Sequence, residues 1–115
     1  MLRLAILALA LLVSGCEQVI PDVPDIVRPP DDRWGVTAFT SQNCGPCRRN
    51  EPRLREIERV VPVLRIDIDQ QPQVAAKAGI QVVPTYVLFH NGVEYARTND
   101  IETLARWLSE NGQPP

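Results

Sequence analysis

The sequence is poor in the residues that build several kinds of functional site. A single histidine in 115 residues excludes a histidine-rich metal centre. Three cysteines are too few for a disulfide-dense scaffold, and their odd number calls for a division of roles. Twelve Lys and Arg against fourteen Asp and Glu give a net charge of −2, so there is no electrostatic footprint for nucleic acid. No apolar run is long enough to cross a bilayer. The longest, Leu4 to Val13, has ten residues and would reach about 15 Å as a helix, half of a hydrocarbon core. No internal repeat is present. What remains is a chain of one-domain length with an ordinary 44% of hydrophobic residues, which excludes wholesale disorder. Proline is abundant, at eleven residues, so its positions carry information.

The first segment, Met1-Leu2-Arg3 followed by the apolar run and small residues, has the pattern of a secretory signal. Val13-Ser14-Gly15-Cys16 resembles a bacterial lipobox. That resemblance implies diacylation of the Cys16 thiol, cleavage before it, and attachment to a lipid bilayer through Cys16 without a spanning helix. The alternative is an ordinary signal with an incidental cysteine. Residues 17–33 contain Pro21, Pro24, Pro29 and Pro30, carry five acids against two arginines, and show no helical or alternating period. They read as an extended stalk of up to roughly 50 Å, or in part as an arm in which Val23, Ile26 and Val27 pack onto the domain. The expected division is a signal over 1–15, a lipid-anchored stalk over 16–33, a folded domain over 34–111 and a tail over 112–115. The domain has nine basic and nine acidic residues, so the net charge of the chain arises outside it.

Within the domain, Val36–Phe39 reads as a strand, and a helix is expected from about Cys44 to Arg59 with Leu54, Ile57 and Val61 buried. Pro52 predicts a kink in that helix. Val63–Ile68 alternates as a second strand. Pro72 opens a short helix that Gly79 stops. Thr85–Phe89 and Val93–Ala96 flank Asn91-Gly92, a tight hairpin signal. Asn99 with Glu102 reads as a capping box before a last helix burying Ile101, Leu104, Ala105 and Leu108 and ended by Asn111-Gly112. The order βαβαββα implies an α/β fold, a mixed four-stranded sheet with helices on both faces.

Cys44-Gly45-Pro46-Cys47 stands at the predicted strand-to-helix junction. A helix start offers unpaired N–H groups and partial positive charge, so a thiolate at Cys44 is stabilised and Cys44 is the expected nucleophile. Gly45 permits a close turn, and Pro46 fits the first turn, where its missing N–H costs little. Cys47, one turn on, is placed to resolve a mixed disulfide. Arg48 and Arg49 further favour a thiolate. A structural disulfide of so short a loop would stabilise little. A zinc site lacks ligands, since only Cys44, Cys47 and distant His90 are available, and His90 reads as exposed and inert. The alternating charges of Arg48, Arg49, Glu51, Arg53, Arg55, Glu56, Glu58 and Arg59 read as a salt-bridged helix face.

This motif in this order of elements resembles thioredoxin over about residues 34–111. Pro52 stands eight residues after Cys44, where thioredoxins carry a helix-kinking proline. Asp67–Pro72, Gly79–Thr85 and Phe89–Gly92 are similar to the family's strand-to-helix passage, cis-proline stretch and hairpin. The resemblance implies a cis Pro84 lying against the cysteine pair and a Val83 backbone that pairs with an extended substrate. It implies no cofactor beyond the redox-active pair itself. The chain departs from the family at Asn43, where a tryptophan is usual, and at Ala38, where a buried aspartate helps to deprotonate the second cysteine. It departs again at Arg65, which replaces a lysine, and in the stalk, which stands in place of the family's first strand and helix.

The expected function is that of a membrane-anchored thiol-disulfide reductase facing the periplasm or cell exterior. It would be a monomer acting on disulfide-containing exported proteins through Cys44 and Cys47. Because the periplasm is oxidising, a membrane electron donor is the expected partner, or an acceptor if the pair oxidises its substrates. The alternatives are a disulfide oxidase or redox sensor on the same pair, and a non-catalytic binding module with the same fold.

Overall fold

The structure, a computed structural model, describes residues 27–29 and 33–115. Seven elements follow in the order β1 (Trp34–Thr40), α1 (Gly45–Glu58), β2 (Val63–Asp67), α2 (Pro72–Lys77), β3 (Thr85–His90), β4 (Val93–Thr98) and α3 (Ile101–Glu110). This is the βαβαββα order expected from the sequence. The strands form one sheet in the order β2-β1-β3-β4. β1 runs parallel to β2 and antiparallel to β3, and the β3–β4 hairpin is antiparallel. The hairpin turns where Asn91 and Gly92 take φ of 52° and 74°, the left-handed region that these two residue types tolerate.

Successive side chains of a strand point to opposite faces, and both central strands use both faces. Val36 and Ala38 of β1 and Tyr86 and Leu88 of β3 pack with Leu54 and Ile57 of α1 and with Ile101, Leu104, Ala105 and Leu108 of α3. Phe39, Val87 and Phe89 pack on the other face with Ile66 and Ala78. Each fully buried aliphatic or Phe side chain contributes about 1.5–3 kcal/mol of transfer free energy, so α1, α3 and the α2 segment are held mainly by their apolar stripes.

Local features refine the sequence reading. Val27 is fully buried in the second core, and Pro29 is buried beside Gly35, where an added Cβ would come within 2.7 Å of the Pro29 ring. These residues belong to the stretch read as a stalk or in part as a packing arm, and at Val27 it is the arm reading that holds. The cap of α3 is Asp100, whose carboxylate accepts from the Thr103 backbone N–H at 3.1 Å; Asn99 does not cap the helix. The β3–β4 register skips Tyr95, a bulge that turns this ring edge-on to Trp34 at 5.2 Å. His90 is exposed but stacks on Trp34 at 4.1 Å.

Cys16, the residues read as a signal and most of those read as a stalk lie outside the described residues. Among the described residues no helix is long and apolar enough to cross a membrane.

Candidate active site

β1 ends at Thr40, and the chain turns through Ser41–Asn43, closed by the Cys44 N–H donating to the Ser41 carbonyl at 3.2 Å. The Ser41 hydroxyl donates to Asp69 Oδ2 at 2.5 Å, which ties this turn to the segment after β2. Cys44 is then the N-cap of α1, in extended conformation, and its Sγ accepts from the Cys47 N–H at 3.1 Å. A cap side chain that accepts from the third helical residue satisfies one of the open donors of the helix start. Here the acceptor is the sulfur itself, so the field that stabilises a cap stabilises negative charge on Cys44. Pro46 lies in the first turn without loss of a helical bond.

Cys44 and Cys47 form a disulfide, with Cα atoms 5.2 Å apart and both residues less than a tenth exposed. The pair is therefore a disulfide across the first helical turn. Two cations fold back over this turn. Arg48 Nη1 reaches the Gln42 carbonyl at 3.4 Å, and Arg49 Nη1 lies 3.1 Å from where a Cβ on Gly45 would be. A side chain at position 45 would have to displace that guanidinium.

The basic run of α1 divides in two. Arg53 pairs with Glu56 at 2.6 Å and with Glu102 of α3 at 3.1 Å, and Arg55 pairs with Glu51 at 3.5 Å. These contacts hold the Arg53 guanidinium pKa above its ordinary value, chiefly through the Glu56 hydrogen bond. Among the described residues no carboxylate pairs with Arg48 or Arg49, the two arginines nearest the disulfide.

Polar contacts from α1 to three other elements fix the direction in which the helix presents the cysteines. One is the Arg53–Glu102 bridge to α3. Arg65 of β2 binds Glu51 at 2.9 Å and Glu58 at 2.8 Å, and the Glu58 bond is the main reason its pKa is raised. Asn50 donates to the Tyr86 hydroxyl of β3 at 3.1 Å, and burial of that phenol raises its pKa. Ala38 lies between Arg65 and Tyr86 in the sheet register and is fully buried. A methyl group thus stands where the sequence departs from the acid of the family it resembles, and the polar contacts of Arg65 and Tyr86 run between α1, β2 and β3.

The second part of the site comes from β3. Phe39 pairs with Thr85, so the end of β1 that leads to Cys44 and the start of β3 lie at the same end of the sheet. Val83–Pro84 is a cis peptide, as the resemblance implies. Pro84 is buried, Val83 is half-buried and Val82 is exposed. A shallow groove of about 170 Å³ runs beside this turn, lined by Gly79, Ile80, Gln81, Val82, Thr85, Arg97, Thr98 and Asn99. A larger cleft of about 610 Å³, lined by Trp34, Arg59, Val60, Pro62 and His90 among others, lies at the opposite end of β1, away from the cysteines.

Sequence reasoning found Cys44, Gly45, Pro46, Cys47, Val83 and Pro84, and the structure brings the two groups to one end of the sheet. It missed Asn99, whose side-chain amide donates to the Pro84 carbonyl at 3.0 Å and to the Thr85 hydroxyl at 3.0 Å. The available signal was the pair Asn99-Asp100. Two adjacent residues of capping type cannot both cap one helix, which leaves one amide or carboxylate for another partner.

Comparison with known proteins gives a consistent result. The family model described as Thioredoxin matches residues 25–110. A thioredoxin from Rickettsia bellii is 34% identical over 80 residues, covering 64% of this chain and 76% of that protein. A thioredoxin from Chlamydia muridarum is 32% identical over 79 residues, covering 64% and 78%. Among solved structures, Fasciola hepatica thioredoxin superposes with a TM-score of 0.64 at 28% identity, covering 70% of this chain and 82% of that one. Thioredoxin h of Nicotiana alata gives 0.65 at 27% identity, covering 70% and 75%.

Proposed function

The chain belongs to the thioredoxin family and is a thiol-disulfide oxidoreductase of the Cys44–Cys47 pair, and from that premise we propose that it is a lipid-anchored reductase of disulfides in exported proteins. The observation that carries the catalytic reading is the Cys44 sulfur acting as N-cap of α1 while bonded to Cys47; the reducing direction rests on Gly45-Pro46 between the cysteines, the pair that thioredoxins carry. In the reduced state the Cys44 thiolate attacks one sulfur of a substrate disulfide and expels the other as a thiolate. Cys47 then loses its proton and attacks Cys44 in the mixed disulfide. The substrate leaves with two electrons as two thiols, one proton coming from Cys47 and the other from water, and the Cys44–Cys47 disulfide forms. An extended substrate segment pairs with the backbone at Val83 beside Pro84, as an added strand does.

Export and anchoring rest on residues 1–16, with Cys16 as the lipid attachment site and residues 17–26 as a spacer from the bilayer. An exported reductant needs a supply of electrons, because the periplasm is kept oxidising. A membrane protein that reduces the Cys44–Cys47 disulfide is therefore the required partner. The reaction needs no cofactor besides the cysteine pair.

Reduction of insulin disulfides by the purified full chain tests the activity: Cys44→Ser should abolish turnover. Cys47→Ser, expressed in cells, should accumulate mixed disulfides with exported proteins that a thiol reductant releases. Labelled palmitate should enter the wild-type chain and not Cys16→Ser. An active Cys44→Ser chain, or a Cys47→Ser chain that traps nothing, would sink the catalytic part. A Cys16→Ser chain labelled like wild type would sink the anchor.

A further inference from the structure

The connection between β4 and α3 consists of two residues, Asn99 and Asp100, and they face different ways. Asp100 serves the helix: its carboxylate accepts from the Thr103 N–H at 3.1 Å and the Thr103 hydroxyl at 2.7 Å, while its own N–H donates to the Thr98 hydroxyl at 3.1 Å. Asn99 serves the turn before β3. Its Nδ2 donates to the Pro84 carbonyl and to Thr85 Oγ1, both at 3.0 Å, and Thr85 Oγ1 in turn donates to the Val82 carbonyl at 2.6 Å.

The direction of this chain of bonds is fixed. The single hydroxyl proton of Thr85 is committed to Val82, so Thr85 must accept from residue 99. The Pro84 carbonyl is also only an acceptor. Position 99 therefore needs a group with two donors, and an amide NH₂ supplies both. The residue itself is exposed, so these bonds are not explained by burial of an apolar side chain. Together they fix the carbonyls of Val82 and Pro84, one on each side of Val83.

We propose that Asn99 is a positioning residue for protein substrates: it holds the Val82–Thr85 turn in the conformation that accepts an extended peptide around the target disulfide. An ordered turn loses less conformational freedom when the peptide docks, so affinity is gained without a direct contact. The inference rests on the reductase reading above and adds the residue that prepares its peptide-binding edge.

The experiment is steady-state reduction of insulin by the purified full chain, comparing wild type, Asn99→Ala, Asn99→Asp and Asp100→Ala. Loss of two hydrogen bonds that order the turn should raise KM about tenfold in both Asn99 variants, with kcat changed by less than about twofold. Hydrogen exchange at the Val83 and Thr85 amides should speed up in the same variants. Asp100→Ala, which breaks the adjacent helix cap, should lower the melting temperature and leave KM at its wild-type value. Unchanged KM in Asn99→Ala and Asn99→Asp, a fall in kcat alone, or an equal rise of KM in Asp100→Ala would each overturn the proposal while leaving the reductase reading intact. A wild-type chain inert toward insulin would overturn both.

Discussion

The hydroxyl of Thr37, in the middle of β1, donates to the backbone carbonyl of Val27. Both residues are fully buried, so the bond satisfies a polar pair inside the second core and fastens the preceding chain to the sheet. Val27→Ala removes about two methyl groups from that core and is expected to cost roughly 1–2 kcal/mol. Thr37→Val leaves the Val27 carbonyl unpaired and is expected to cost about 1–3 kcal/mol. Urea unfolding of each variant checks this; wild-type midpoints for both would show that the arm contributes nothing to the folded unit.

Asp100 gives a pH-dependent contribution. Its hydrogen bonds to Thr103 lower its pKa in the folded chain below the ordinary 3.8. A depressed carboxyl pKa stabilises the fold above the unfolded value and loses that contribution as pH falls through the folded value. Asp100→Ala should therefore lower the melting temperature at pH 7, and the gap from wild type should close progressively below about pH 4. A gap of constant size down to strongly acid pH would contradict the role of the ionised carboxylate.

Tyr86 predicts the opposite edge of the pH range. Burial raises its pKa above 10.0, so the phenol stays neutral in the folded chain at pH values where the unfolded chain ionises. Stability from this group is complete below about pH 10 and is lost as pH rises toward the folded value. Tyr86→Phe gives up the Asn50 hydrogen bond, at about 1 kcal/mol near neutral pH, and should show a shallower loss of stability above pH 10. Denaturation curves from pH 7 to 11 decide the matter, since parallel wild-type and variant profiles would rule it out.

Arg48 and Arg49 are the cations beside Cys44 that no carboxylate neutralises among the described residues. Replacing both with Gln should raise the Cys44 pKa in the reduced chain and slow its alkylation by iodoacetamide at pH 7 by roughly two- to fivefold, as expected for partly exposed charge pairs. The difference should shrink in high salt. Equal rates for wild type and the double variant at low salt would leave the helix start as the sole source of activation.

Most of the element order was legible because its signals are local. The strand run Val36–Phe39, the alternation through Val63–Ile68, the stripe of Leu54 and Ile57, and Asn91-Gly92 are each read within a short window. The cysteine pair was legible for the same reason: its chemistry depends on one helical turn. What escaped the sequence depends on partners far away in the chain. For Val27 the sequence left a stalk and a packing arm both open, since it sits in a proline-rich stretch with no period, and only the fold supplies the apolar face it covers. Asn99 carries a motif that fits a helix cap as well as it fits the Val82–Thr85 turn. Arg65 meets Glu51 and Glu58 only because β2 lies beside α1. Ala38 was noticed as a missing acid, but its surroundings, Tyr86 with Asn50 and Arg65 with two glutamates, needed the sheet register.

The bulge at Tyr95 also bears on how the sheet ends. A flat outer strand exposes a straight row of backbone donors and acceptors that a neighbouring molecule can extend, which is one origin of aggregation. A bulge twists such a strand and breaks the spacing of its row. In β4 that irregularity stands between Glu94 and Arg97, which bind each other at 2.5 Å. An approaching strand would meet a bent edge and a charged pair together. The exposed Val93 and Tyr95 of the hairpin are thereby carried on an edge that resists growth into a longer sheet.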